Sequence, residues 1–387
     1  MIEGLWYGRD FGSRAGRALL SPLSSVFAVA AALRGSLYDR RLLRAVEAGV
    51  PVVSVGGLSV GGAGKTPFVM WLVERLRSEG WNPCVLTRGY GGSARLPLLL
   101  NVEGVPWPAE AVAAAGDEAV LIALRTGAPV AVAADRGAGA RLARQHCSPD
   151  IFVLDDGFQH RRLARDLDIV LVSGAEHEQR LLPAGPLRER PAALRRAHVV
   201  VRTNGDSAGL SADCGTAVLT LSTRVRATGV VGSGAFTLAQ PNAAVGVRAQ
   251  RLARKSEVWG LELLKGRRIA AVAAIARPER FVAALQELGA SVVETLLLRD
   301  HHAYDAGDWT RIAALRERCE LVVTTEKDMV KLAGLRDGLA GAAEWLVALR
   351  VEPEVEGADA LLERIGGLDR KAGSTHHPPT FARTDNQ

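Results

Sequence analysis

The sequence predicts an α/β protein: a mostly parallel sheet flanked by helices, a second and smaller α/β domain, and an N-terminal helix at a membrane interface. Three observations carry this. Short β-branched runs alternate with helix-like segments from residue 50 onward, a Gly-Lys-Thr loop separates the first run from the first helix, and residues 18–33 form an apolar stretch bracketed by arginines. With 387 residues, 48% hydrophobic and 23% charged, the chain has the composition of an ordered globular protein with one large or two ordinary domains. The net charge of +6 suits phosphate-bearing partners without selecting nucleic acid or membrane. Its 7 Trp, 4 Tyr and 8 Phe form no basic-aromatic array for stacking bases, so no nucleic-acid partner is expected. Cys84, Cys147, Cys214 and Cys319 lack CxxC spacing, which argues against a zinc site or a disulfide framework.

The apolar stretch at 18–33 has 16 residues, with Arg9, Arg14 and Arg17 before it and Arg34, Arg40, Arg41 and Arg44 after it. Its length, Pro22 and the serines at 21, 24 and 25 disfavour a spanning helix. A helix lying in the interface, an ordinary helix covering a core, and a signal peptide ending near Ala28-Val29-Ala30 remain. The motifs downstream need cytoplasmic nucleotide and so weigh against secretion.

Strands are expected at 51–55, 83–87, 129–133, 151–154, 167–172 and 198–202, with helices at 66–78 and 117–125 among those between them. Periodicity weakens over 205–260, where Gly, Ser, Thr and Ala dominate. A second alternating block then predicts strands at 268–275, 291–298, 320–325 and near 345–350, and helices at 278–288, 307–318 and 326–335. The resulting division is an N-terminal segment (1–48), a core (49–215), a smaller C-terminal domain (216–368) and a disordered tail (369–387) whose His376-His377 pair is solvent-exposed.

The strongest chemical signal is Ser59-Val60-Gly61-Gly62-Ala63-Gly64-Lys65-Thr66, after a strand and before a helix. Glycines there let backbone N–H groups face phosphate oxygens, Lys65 reaches the same oxygens, and the Thr66 hydroxyl suits Mg²⁺. The core is therefore P-loop NTPase-like. Ser59 replaces the usual first glycine, and Val60 stands where metallochaperone-type ATPases carry an extra lysine. Farther on, the apolar strand at 151–154 ends in Asp155-Asp156, the place for Mg²⁺-linked carboxylates, and continues Gly157-Phe158-Gln159-His160. His160 beside the aspartates is favoured as an active-site residue over a surface histidine.

Gly116-Asp117-Glu118 opens a helix, and its carboxylates either complement the helix dipole or place Asp117 to take a proton from an attacking hydroxyl. Arg88-Gly89-Tyr90 and Asp135-Arg136 follow strands, at the edge where such sheets bind ligands. Asp300-His301-His302 ends a strand in the second block, suiting an Asp-oriented histidine better than a metal site. Thr324-Thr325-Glu326-Lys327-Asp328 reads as a capped helix start; it lacks the Asn that would read a guanine edge.

Taken together, these residues resemble the tetraacyldisaccharide 4′-kinases of lipid A biosynthesis, a lipopolysaccharide pathway. The resemblance covers about residues 10–350 and rests on Gly57 to Pro67, Thr87-Arg88-Gly89-Tyr90-Gly91, Gly116-Asp117-Glu118, Asp155 to His160, Leu182 to Glu189, Asp300-His301-His302 and Thr324 to Asp328. It implies transfer of the ATP γ-phosphate, with Mg²⁺, to the 4′-hydroxyl of a tetraacyl glucosamine disaccharide 1-phosphate. It further implies a monomer at the membrane surface, on the cytoplasmic face of the inner membrane. By resemblance Asp117 is the base and His301 its partner, while Asp155, Asp156, Gln159 and His160 surround Mg²⁺ and nucleotide. A soluble P-loop ATPase or GTPase acting on a protein partner is the alternative.

Overall fold

The computed structural model describes residues 2–8, 10–61, 64–104, 110–173, 179–203, 218–236, 258–335, 339, 342 and 344–368. The tail, Cys214, and Gly62 and Ala63 of the glycine loop lie outside these. Helices α1 (Ile2–Tyr7) and α2 (Phe11–Asp39) precede the sheet. The first block runs β1 (Val52–Gly57), α3 (Lys65–Ser78), β2 (Pro83–Thr87), β3 (Leu98–Leu100), α4 (Ala111–Ala115), α5 (Asp117–Thr126), β4 (Val130–Val132), α6 (Arg136–His146), β5 (Ile151–Asp155), β6 (Leu167–Ser173), β7 (Val199–Thr203) and β8 (Leu219–Gly232). The second runs β9 (Val258–Trp259), β10 (Arg268–Ala273), α7 (Pro278–Glu287), β11 (Ser291–Leu297), α8 (Ala306–Leu315), β12 (Leu321–Thr325), α9 (Glu326–Ala333), β13 (Leu346–Glu356) and α10 (Ala358–Gly366).

The described strands form one sheet in the order β11-β10-β12-β13-β8-β7-β6-β1-β5-β2-β4-β3, with β9 against β8. From β8 through β7, β6, β1, β5 and β2 to β4 every pairing is parallel. The strands β13, β12, β10 and β11 are likewise parallel to one another. The two blocks meet where β8 and β13 pair antiparallel. β1 and β5 are buried along their whole length, as expected for parallel strands covered on both faces. One apolar cluster runs from Val53 on β1, through α3 and α5, to Met329 on α9 and Ile365 on α10.

Three differences from the sequence reading stand out. The 14-residue β8 lies where periodicity weakens: its last four residues are buried while its middle is exposed, so no single alternation runs through it. β3 and α10 were not expected; both are short and flank the blocks. Finally, the apolar stretch at 18–33 is part of a 29-residue helix, α2, started by Asp10, whose Oδ2 accepts the Ser13 N–H. A 29-residue helix is about 43 Å long. By length and composition it could cross a membrane, so shortness no longer argues against a crossing. None of its residues is buried, which removes the core-helix reading.

α2 rests on the protein through polar contacts. Ser24 Oγ donates to the Leu181 carbonyl (3.0 Å) and accepts the Ala184 N–H (3.1 Å). Near its end, Arg161 donates to the Gly35 carbonyl (2.9 Å) and pairs with Asp39 (2.7 Å). Leu19, Leu23, Val26, Val29 and Leu33 are exposed. At 3.6 residues per turn this stripe falls on the side of the helix opposite Ser24. The exposed apolar stripe is compatible with membrane association.

Candidate active site

The site begins where β1 stops. Gly56 and the loop after β5 touch so closely that a Cβ on Gly56 would stand 2.5 Å from the Phe158 Cβ, and Phe158 is fully buried. Only glycine fits there. The loop then passes to Gly64, whose φ of 75° admits few residues but glycine and which caps α3. The segment 181–188 lies behind it: the Val60 N–H donates to the Pro186 carbonyl (2.8 Å), and the Arg188 N–H to the Leu58 carbonyl (2.7 Å). α3 has neither a side-chain cap nor an acidic residue in its first turn, so its positive end stays available to an anion. Thr66 lies in that turn, half-buried.

Lys65 Nζ stands 3.4 Å from Asp156 Oδ1 and 3.5 Å from the Gly61 carbonyl. Arg188 Nη1 meets the other Asp156 oxygen at 2.5 Å. Burial alone would raise the Asp156 carboxyl, but Lys65 and Arg188 outweigh it and hold it below the usual range. Asp156 has φ of 49°, a left-handed conformation that a short polar residue tolerates. Its neighbour Asp155 is buried and accepts from the Thr87 hydroxyl (3.0 Å). Burial, then Glu118 and Asp156, push the Asp155 carboxyl up to about 7.

Gln159 spends its amide on the fold: Nε2 donates to the Gly57 carbonyl (3.0 Å) and to Glu189 (3.2 Å). Arg136 is buried, donates to the Ala134 carbonyl (3.1 Å), and feels Asp155 and Asp156 on one side and Arg88 and Arg188 on the other. Arg88 is exposed. His160 faces basic company; burial, then Arg136, lower its pKa to about 4, so it is a neutral imidazole at pH 7. Its Nε2 is buried with no hydrogen-bond partner among the described residues.

A second cluster stands on α5. Asp117 is buried in the first turn of α5, where its charge suits the helix dipole, and its Oδ1 accepts the Glu118 N–H (2.8 Å); the N-cap itself is Gly116, with no side-chain cap. Its other oxygen, Oδ2, faces His301 Nδ1 (3.8 Å), Lys327 Nζ (3.8 Å) and Lys331 Nζ (3.7 Å). His301 has φ of 58° and packs its ring 5.0 Å from that of Tyr90. His302 turns away to Asp308 (2.5 Å). Glu118 is held by Lys327 (2.9 Å). Because Glu118 acts on Asp155, the two clusters are within electrostatic reach of each other.

The structure thus gathers Lys65, Asp155, Asp156, Gln159 and Arg136 around one strand end, and Asp117, Glu118, Tyr90 and His301 beside it. Sequence reasoning gave no role to Arg188, Thr87, Lys327 or Lys331. Thr325 does cap α9, accepting the Asp328 N–H (3.1 Å), but the same motif also delivers Lys327. No group of three or more His, Cys, Asp or Glu among the described residues makes a self-contained metal site.

The family model described as tetraacyldisaccharide-1-P 4'-kinase matches residues 16–366. A tetraacyldisaccharide 4'-kinase of Syntrophus aciditrophicus is 38% identical over 381 residues, covering 93% of this chain and 97% of that protein. One from Anaeromyxobacter dehalogenans is 40% identical over 372 residues and 93% of each chain. A crystal structure of LpxK from Aquifex aeolicus in complex with ATP superimposes with a TM-score of 0.69 at 30% identity, over 90% of this chain and 98% of that one. A glycine loop facing a carboxylate pair and a family match across nearly the whole fold lead to one conclusion: the chain belongs to the tetraacyldisaccharide-1-P 4'-kinase family.

Proposed function

We propose that this chain transfers the γ-phosphate of ATP to the 4′-hydroxyl of a tetraacyl glucosamine disaccharide 1-phosphate. The product is the bis-phosphorylated lipid A precursor. The observation that carries the reading is the pairing of Lys65 with Asp156 at the glycine loop, next to a buried Asp117 faced by His301. A soluble ATPase or GTPase driving a protein partner needs no second cluster of this kind, and the family match does not favour it.

Mg²⁺ fits the donors present. Thr66, Asp155 and Asp156 offer only oxygen, and Asp156 Oδ1 is buried with only the Lys65 ammonium, 3.4 Å away, against it. When bound, the ion would neutralise charge on the phosphates. Lys65 and Arg188 stabilise the charge of the transferring group. Asp117 takes the proton of the acceptor hydroxyl as its oxygen attacks the γ-phosphorus and the bond to the ADP oxygen breaks. His301 orients Asp117 and shares its charge. Arg88, Tyr90, Arg136 and Glu118 line the space between, Gln159 fixes the strand end, and His160 stands beside it as a neutral imidazole. In this reading the core at 49–215 holds the nucleotide, and the domain at 216–368 supplies His301.

The acceptor carries four acyl chains and stays in a bilayer. The exposed stripe on α2, with Arg34, Arg40, Arg41 and Arg44 beyond it, supports a seat on a membrane surface; the ATP donor supports the cytoplasmic face of the inner membrane, and the chain is read as a monomer. The test is an assay with γ-labelled ATP and the tetraacyl disaccharide 1-phosphate in mixed micelles. Label must move to the glycolipid in a Mg²⁺-dependent way; hydrolysis indifferent to the glycolipid would overturn the reading.

A further inference from the structure

The segment Glu326-Lys327-Asp328 and its continuation to Lys331 are left over by the reaction as described, yet they enclose Asp117. Lys327 and Lys331 stand one helical turn apart on α9. Lys327 Nζ is forked between Glu118 Oε1 (2.9 Å) and Asp117 Oδ2 (3.8 Å). Lys331 Nζ lies 3.7 Å from the same Asp117 oxygen and is itself fixed, with Asp328 Oδ1 at 3.0 Å and the Ala274 carbonyl at 3.3 Å. Asp328 is fully buried and also accepts the Ala274 N–H (3.0 Å). Lys331 is thus clamped to the end of β10 and cannot swing away.

We propose that Lys327 and Lys331 are positioning residues that keep the acceptor-activating carboxylate of Asp117 charged and fixed in direction. The inference rests on the reading of Asp117 as the base. Every cation facing Asp117 comes from the second block: His301 after β11, and the two lysines on α9. The anions nearby are Glu118 on α5, Asp300, which faces the far nitrogen of His301, and Asp328. Tyr304 lies under Lys331, its ring centre 5.8 Å from Nζ. A buried carboxyl without these cations would favour its neutral form and could not accept a proton. Burial does push Asp117 up, and His301, Lys327 and Lys331 outweigh it and hold the carboxyl below the usual range. Docking α9 against α5 therefore completes the base.

The test is the pH profile of kcat for glycolipid phosphorylation in Lys327→Met, Lys331→Met and Lys327→Arg, beside Asp117→Asn. Removing one lysine should move the acid limb up by about one pH unit. Activity one unit below the wild-type limb then falls about tenfold, and the KM for ATP changes little. Lys327→Arg should keep the wild-type limb, a rescue that a merely structural role would not require. Lys327 is on the more open side, so Lys327→Met and Lys327→Arg suffice if Lys331→Met does not fold. If the folded lysine variants keep the wild-type acid limb while Asp117→Asn is inactive, this inference fails and the base reading stands. An active Asp117→Asn with an unchanged limb overturns both.

Discussion

Lys65 and Asp156 face each other at 3.4 Å across the end of β1, with Arg188 closing on the other carboxylate oxygen. The lysine that would meet the phosphates is held by a carboxylate that would face the metal. Lys65→Ala should lower kcat by at least about 10²-fold, since it removes charge stabilisation from the transferring group. Thr66→Ala should do the same and steepen the Mg²⁺ requirement. Turnover at saturating ATP and varied Mg²⁺ checks both; near-normal rates would move the nucleotide site elsewhere.

Asp117→Asn should lower kcat by about 10²–10⁴-fold with little change in the KM for ATP, because the residue acts on the acceptor. His301→Ala should lose less. Combined, the two should cost less than the sum of their separate effects, as for groups acting as one unit. Steady-state kinetics on the double-mutant cycle decides; strict additivity would separate the two residues.

Asp155 gives a pH-dependent stability of opposite sign to the usual carboxylate. Its folded pKa, about 7, lies above the ordinary value of 3.8, so the folded state binds the extra proton between those values. Nucleotide-free protein should therefore lose stability as pH rises from about 4 to 7. Asp155→Asn keeps an acceptor for Thr87 and removes the buried charge. It should melt higher than wild type at pH 8 while being unable to transfer phosphate. Thermal melts across that range test this, and a lower melting point for Asp155→Asn at pH 8 would refute it.

Arg125, in the last turn of α5, meets both oxygens of Glu326 at 2.6 and 2.8 Å, and both side chains are buried. Glu352 on β13 adds a contact at 3.2 Å. Arg125→Met should destabilise by about 3–5 kcal/mol, because the Glu326 charge stays buried without its partner; Glu326→Gln should cost less, since Arg125 keeps Glu352. The double replacement Arg125→Met/Glu326→Met should cost less than Arg125→Met alone. Denaturant unfolding measures it.

Deleting residues 1–33 should reduce binding to anionic vesicles and raise the KM for the glycolipid more than that for ATP. Each arginine beyond the stripe would contribute about 1 kcal/mol of attraction, weakening with salt. Vesicle sedimentation at two ionic strengths checks this, and unaltered partition would remove the interfacial role of α2.

The parallel core was legible because its strands are buried on both faces and so read as continuous apolar runs, as in β1 and β5. The glycine loop was legible because its chemistry is local. β8 was not, since its two halves meet different surroundings. Asp117 could be singled out but not resolved from a carboxylate that merely complements the helix dipole, and it turns out to sit in that first turn while facing three cations. Lys327 hid inside a motif with a sufficient local explanation. Arg188 lies 32 residues from Asp156, and only the fold makes them neighbours.

The Ser24 hydroxyl, giving one hydrogen bond to Leu181 and taking one from Ala184, fixes the roll of α2 about its own axis. A helix free to spin could present its serines or its arginines to a bilayer. This one can offer only the edge that carries Leu19, Val26 and Leu33. Because Leu181 and Ala184 belong to the same segment that backs Val60, the helix and the phosphate loop share a common footing. A bilayer engaged by that edge would meet the enzyme in a single attitude, with its surface surveyed from the loop that holds the triphosphate.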